Sequence, residues 1–282
     1  MEWLAQRFEE NRAHLRSVAY RMLGSIADAE DAVQETWLRL SGAENGYIDN
    51  MRGWLTTVVS RICLDMLRSR SLKREESLDT AIPDFIVSRE GNPEDEAVLA
   101  DSVGLALLVV LDTLTPAERL AFVLHDMFAL PFEEVAPIVG RSSTAARKLA
   151  SRARTRVQGA ALPDKDATRQ RKVVDAFVAA AHSGDLESLI AVLDPNVVLL
   201  ADRAPALKGI RGSAVVAKQA LGFSKVVQKA ESVLVNGTPG ILSWFPNGKP
   251  IAVLGFVVAN DWIVEIYVLS DPDRLRQLIE RA

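Results

Sequence analysis

The hydrophobic period of this chain changes once, near residues 159–166. Before that point apolar residues recur every three or four positions. After two further helical stretches they run continuously or alternate. A helix buries a stripe and a half-buried strand buries every second residue, so the two patterns cannot share one layer. The chain therefore reads as helical domains followed by an α+β domain, and its 282 residues suffice for two or three domains.

In the first block, Leu4, Phe8, Leu15, Val18 and Met22 keep helical spacing up to Gly24, which suits a left-handed stop. Ser25 with Asp28 signals the next start, and Ile26, Ala29, Val33, Trp37 and Leu40 form its stripe. Gly42 to Gly46 breaks the pattern, and a third helix turns Trp54, Leu55, Val58, Ile62 and Met66 inward. Residues 73–95 read as a charged linker with Pro83 and Pro93, and helices resume near 96. Thr115-Pro116-Ala117-Glu118 is a strong helix start: a capping hydroxyl, proline at the first position and glutamate at the third. Phe132–Val139, a turn at Gly140-Arg141-Ser142 and Ser143–Val157 follow the helix-turn-helix plan. A second linker, 159–166, contains Pro163. Helices at about 167–182 and 185–193 then precede strands at Val197–Leu200, Val226–Val235, Ile241–Phe245, Ile251–Val258 and Trp262–Leu269, with a last helix after Asp271-Pro272.

Composition narrows the function. Charged residues make up 25% and no apolar run is long enough to span a bilayer, so no membrane partner is expected. The N-terminus lacks a signal-peptide plan, the single Cys63 excludes an internal disulfide, and no Cys/His cluster suggests a metal; these readings point to the cytosol. The net charge of −4 hides a pattern. Arg141 to Arg156 holds six basic side chains and no acid, Arg52 to Arg74 six against Asp65, and Glu75 to Asp101 nine acids against Arg89. Two basic blocks around an acidic connector suit a protein that touches DNA twice, although each block alone also suits a solvated helix face.

In the second of the paired helices Arg147, Ser151 and Arg154 share a face, flanked by Lys148 and Arg152, while Ser142 or Ser143 can cap the start. Asp28, Asp31 and Glu35 form an acidic ridge, flanked by Gln34 and Leu38, that would repel DNA and better fits a protein partner. Arg52, Arg61 and Arg68 read as a basic edge of the third helix, near Trp54, Thr56 and Thr57, as melted DNA requires. In the α+β part His182, Asp202, Asp261 and Glu265 are the acid/base candidates, beside Trp244, Trp262 and Tyr267, and no pair among them has a spacing that argues for catalysis.

The runs Leu15–Gly24, Asp28–Leu38 and Arg52–Arg61 resemble sigma domain 2 of bacterial RNA polymerase sigma factors. Thr115–Arg119, Phe132–Ala136 and Ala150–Arg154 resemble sigma domain 4. With domain 3 absent and an acidic linker in its place, residues 1–158 are similar to the extracytoplasmic-function (ECF) group. His182–Leu189 and the strands after Val197 resemble a SnoaL-like domain, a cone-shaped α+β fold that a subgroup of these factors carries. Ile82-Pro83-Asp84 and Asp271-Pro272-Asp273-Arg274-Leu275 resemble two motifs of that subgroup. The loop after Asp202 lacks the subgroup's glycines, having Arg203-Ala204-Pro205-Ala206 instead.

The resemblance implies a multi-domain chain: two all-α sigma domains, the second with a helix-turn-helix, then an α+β SnoaL-like cone domain. Its boundaries are 1–72 (domain 2), 73–95 (linker), 96–158 (domain 4), 159–166 (linker) and 167–282 (cone). It implies that Ser143, Thr144, Arg147, Lys148, Ser151, Arg152 and Arg154 read the −35 element. Arg52, Arg61, Asp65 and Arg68, with the loop from Gly42 to Arg52, would take the −10 element. Asp28, Asp31, Gln34, Glu35 and Leu38 would dock on core RNA polymerase at the β′ clamp, with the β flap as a second polymerase contact. Promoter DNA is the other partner, the tail acts through Asp202, Asp271, Pro272, Asp273, Arg274 and Leu275 in contact with the sigma part, and neither catalysis, cofactor nor metal is expected.

Overall fold

In the computed structural model, residues 2–42, 48–74, 82–88, 104–158, 166–203 and 209–279 are described. The chain divides into two units: residues 1–80 with 108–160, and residues 81–107 with 161–282. Residues 43–47, where a break was expected, most of the acidic connector, the segment near 96 and residues 204–208 lie outside the described residues.

The first unit is helical. Helices α1 (Glu2–Leu23), α2 (Ile26–Gly42) and α3 (Met51–Arg74) pack on one another. Leu15, Val18, Met22, Ala29, Val33, Leu55 and Ile62 form their shared core. Gly24 ends α1 at φ 69°, a left-handed conformation that costs a residue without Cβ little. On α3 the buried set is rotated from the expected stripe: Val59, Cys63 and Leu64 are buried, whereas Trp54, Val58 and Met66 are half-buried, because α3 meets both α1 and α2.

After α4 (Leu105–Asp112), Thr115 caps α5 (Pro116–Phe122) with the full reciprocal box: its hydroxyl accepts from the Glu118 amide, and the Glu118 carboxylate accepts from the Thr115 amide. A π-helical turn (Val123–Met127) leads to α6 (Phe132–Val139). Pro137 sits inside α6 on its exposed side; the helix is eight residues long, so a missing donor there interrupts little. Gly140, at φ 72°, makes the turn into α7 (Ser143–Gln158). Ala146, Ala150 and Ala153 are buried on α7, so small side chains let it approach α5 and α6 closely. Arg119 on α5 is 2% exposed; its guanidinium meets Asp112 at 2.6 Å and donates to the Arg21 carbonyl at 3.2 Å, tying α5 to α1.

In the second unit, α8 (Ala167–Ser183) and α9 (Leu186–Ala191) lie against a seven-stranded sheet. Its strands are β1 (Val87–Ser88), β2 (Leu193–Ala201), β3 (Ile210–Arg211), β4 (Lys229–Val235), β5 (Thr238–Trp244), β6 (Pro250–Ala259) and β7 (Trp262–Leu269), with α10 (Ser213–Ser224) between β3 and β4 and α11 (Pro272–Ile279) last. The order is β1-β4-β5-β6-β7-β2-β3, antiparallel except for β2 beside β7. Phe177, Leu189, Val197, Val216, Ile241, Phe256 and Ile266 belong to its core.

Three local expectations shift. The second helix stops at Ala191 because β2 already pairs at Leu193, opposite Ile263. Val226 and Val227 lie in the turn after α10, and the fourth strand begins at Lys229. Helix α10 and strands β1 and β3 were not anticipated from the sequence pattern. The connector also differs from an independent linker: residues 82–88 belong to the α+β unit, where β1 is an edge strand antiparallel to β4.

Candidate nucleic-acid interface and linker clamp

Helix α7 carries the residues expected at the −35 element. Ser142, not Ser143, caps it, its hydroxyl accepting from the Ala145 amide at 3.3 Å. Thr144, Arg147, Lys148, Ser151 and Arg152 are exposed on the face away from the alanine row, and Ser143 is half-buried. The Arg147 guanidinium lies 5.3 Å from the Phe132 ring centre, which holds its stem against α6 while leaving the charge in solvent. Arg154 departs from that group: it is half-buried and bonded to the Asp126 carboxylate, which offsets its charge within the module.

The three arginines of α3 do not form one edge. Arg52 and Arg61 are nine residues apart, two and a half turns, so they project from opposite sides of the helix. Arg52 meets the His14 ring at 3.1 Å, whereas Arg61 donates to the Pro137 carbonyl of α6 at 3.4 Å. Asp65 and Arg68 are exposed and paired at 3.5 Å. On α2, Asp31, Gln34 and Leu38 are exposed, Leu38 by 55%. The rest of the ridge is tied down: Asp28 pairs with Arg70, and Glu35 with Arg39 at 3.0 Å. An exposed leucine beside acids is a protein-docking chemistry rather than a DNA-binding one.

The tail residues converge. Asp202, whose side chain is 7% exposed, accepts from the Ser270 amide and hydroxyl at 2.9 Å each and from the Asp271 amide at 3.0 Å. Asp271 caps α11, accepting from the amides of Asp273 and Arg274 at 3.0 and 3.1 Å; these bonds, chiefly that from Arg274, hold its carboxyl below the ordinary value of 3.8. The cap orients Arg274, whose guanidinium donates to the Ile82 carbonyl at 3.2 Å and to the Asp84 carboxylate at 2.8 Å, with Asp202 3.8 Å away. Pro272 and Asp273 are exposed in the first turn, and Leu275 is buried beneath it. Without the subgroup's glycines, Asp202 still occupies the centre of this clamp.

At the other end of the same segment, the Asn236 amide donates to the Ile86 carbonyl at 2.8 Å and its side-chain oxygen accepts from the Ile86 amide at 3.1 Å. Asn236-Gly237 is the two-residue hairpin turn between β4 and β5, with φ of 51° and 78°. The dipeptide is a turn signal readable in the sequence; that its first residue also grips another segment is not.

The acid/base candidates disperse. Asp261 is paired with Arg169, a bond that lowers its pKa, and Glu265 accepts from the Tyr267 hydroxyl, whose pKa burial pushes up. A cavity of about 430 Å³ opens on the helix side of the sheet, and of the four candidates only His182 lines it.

Residues 7–73 match the sigma-70 region 2 family and residues 104–157 the sigma-70 region 4 family. The chain is 44% identical over 224 residues to "ECF RNA polymerase sigma factor SigJ" of Mycobacterium tuberculosis, covering 77% of this chain and 72% of that one. It is 38% identical over 278 residues to "Probable ECF RNA polymerase sigma factor SigI" of the same species, covering 95% and 93%. The crystal structure of M. tuberculosis SigJ superposes with a TM-score of 0.77 at 36% identity, covering 96% of this chain and 98% of that one. The likeness thus runs through both helical modules and the α+β domain, and this chain belongs to the ECF RNA polymerase sigma factors.

Proposed function

We propose that, in directing core RNA polymerase to promoters, this sigma factor restrains itself by holding its own interdomain segment on the α+β domain. The observation that carries the reading is the Arg274 guanidinium, which bridges the Ile82 carbonyl and the Asp84 carboxylate while Asp202 fixes the start of its helix. Helix α7 meets the −35 element through Thr144, Arg147, Lys148, Ser151 and Arg152; Ser143 and Arg154 support it from the module's side. Arg52, Arg61, Asp65 and Arg68 serve the −10 element. Asp31, Gln34 and Leu38, with Asp28 and Glu35 behind them, hold the β′ clamp, and the β flap takes the second helical module. The polymerase performs the chemistry, and no cofactor or metal enters.

The direction of control follows from competition. In this reading the polymerase also takes the acidic connector, and a segment paired along β4 and gripped by Arg274 is unavailable to it. The tether keeps segment and sheet at high effective concentration, so the clamp competes well without strong contacts. Release of the clamp therefore raises transcription.

The test combines the full chain, sigma-free core polymerase and a promoter library. Promoter-specific transcripts that disappear in Arg147→Ala/Lys148→Ala support the reading. Specific DNA binding by the isolated chain with no transcription in the presence of core enzyme would contradict it.

A further inference from the structure

The cavity of about 430 Å³ in the α+β domain lies within the range of roughly 300–1,000 Å³ typical of small-molecule sites. The strand register builds its floor. Ala201 on β2 is opposite Val268, Val268 opposite Leu254 and Leu254 opposite Ile241, so one apolar row crosses four strands. A second row runs Leu199, Ile266, Phe256 beside it. Leu254 and Val268 remain partly exposed although they pack against the domain core, as expected of side chains that face open space. His182, Gln219, Gly222 and Val226 are exposed and frame the mouth.

The polar content is small and specific. Among the described lining residues there is no Asp, Glu, Lys or Arg, and the polar ones are His182, Gln219, Ser224, Ser243 and Ser270, so a charged ligand would give up hydration that this mainly apolar lining replaces poorly. The Ser243 hydroxyl donates to the Ala252 carbonyl and the Ser270 hydroxyl to Asp202, both at 2.9 Å. With their protons committed, these two oxygens offer only acceptor sites to an occupant. Apolar cavities that exclude water are receptive to hydrocarbon.

We propose that this cavity is a binding site for a neutral, largely hydrocarbon small molecule that carries a hydrogen-bond donor, such as an alcohol or a diarylamine. The site does not depend on how the domain acts on polymerase.

The full chain is titrated with N-phenyl-1-naphthylamine, a neutral diarylamine with one N–H, and bound probe is then displaced with 8-anilinonaphthalene-1-sulfonate, the same skeleton bearing a sulfonate. One saturable site per chain is expected, with displacement needing at least about tenfold more of the anion because its charge finds no partner inside. Ala220→Phe on α10 and Ala181→Phe on α8, each placing a ring in the cavity from a different helix, should weaken the neutral probe at least about tenfold in protein with unchanged circular dichroism. Absence of saturable binding overturns the proposal. So does displacement by the sulfonate at equal concentration, a comparison that needs no variant, or unchanged affinity in either folded variant.

Discussion

Arg274 is placed by a chain of single carboxylates. Asp202 fixes the backbone at Ser270 and Asp271, Asp271 caps the helix, and the capped helix aims the guanidinium at Ile82 and Asp84. The Asp271 carboxyl is held below 3.8, so its contribution is complete above the unfolded value and is lost as pH falls through the lower folded one. The Asp271 cap should therefore persist at neutral pH and be lost only in acid. A carboxyl titration followed by NMR checks this: a midpoint below 3.8 is expected, and one at or above it would contradict the cap. Asp271→Asn, which keeps an N-cap acceptor, should preserve linker binding where Asp271→Ala weakens it. The residues of this network were legible as two motifs and an isolated aspartate. Their convergence was not, because Asp202 and Arg274 are 72 positions apart and Asp84 118 further from Asp202. Arg154 shows the reverse case: its spacing places it with the set expected to face DNA, and a neighbouring carboxylate, invisible to spacing, draws it inward.

At the level of elements, strong local signals carried through. Thr115-Pro116-Ala117-Glu118 forms the box its letters imply, and the helix-turn-helix bends where Gly140 permits. Loss of the box through Thr115→Ala should cost about 1 kcal/mol, seen as a lower denaturant midpoint with unchanged slope; no shift would mean that the Glu118–Arg156 pair at 3.0 Å suffices alone. Other elements left weaker traces. Helix α10 has apolar residues at Val215, Val216, Ala217, Ala220 and Leu221 on more than one face, so it shows no clean period; one side lies on β2 and another lines the cavity. Strand β1 has two residues and exists only because β4 offers an unpaired edge. No periodicity can announce an element of that length.

At the scale of the molecule, the two helical modules belong to one unit, joined by Arg119 to the Arg21 carbonyl, Arg61 to the Pro137 carbonyl and the His14 ring on Phe128. The −10 and −35 elements, about 25 base pairs apart by name, are separated by roughly 85 Å of duplex, so if each module takes one of them, as proposed, modules in direct contact cannot read both at once. Arg61→Cys/Pro137→Cys joined by a bismaleimide with a disulfide in its spacer should therefore abolish promoter-specific transcription, and reducing that disulfide should return it to the level of the same double variant before cross-linking; a linked protein as active as the unlinked variant would show that separation is unnecessary. Cys63 will not interfere, because burial pushes its thiol up to about 12 and leaves it protonated and inaccessible. The most direct test of self-restraint exchanges the clamp charges. Transcription by core polymerase is measured with wild type, Asp84→Arg, Arg274→Asp and the double exchange. Each single change should raise transcript yield several-fold, and the double exchange should lower it again from the level of the singles, short of wild type because the Ile82 carbonyl and Asp202 also face position 274; singles that behave as wild type, or a double exchange no lower than both singles, would contradict the account.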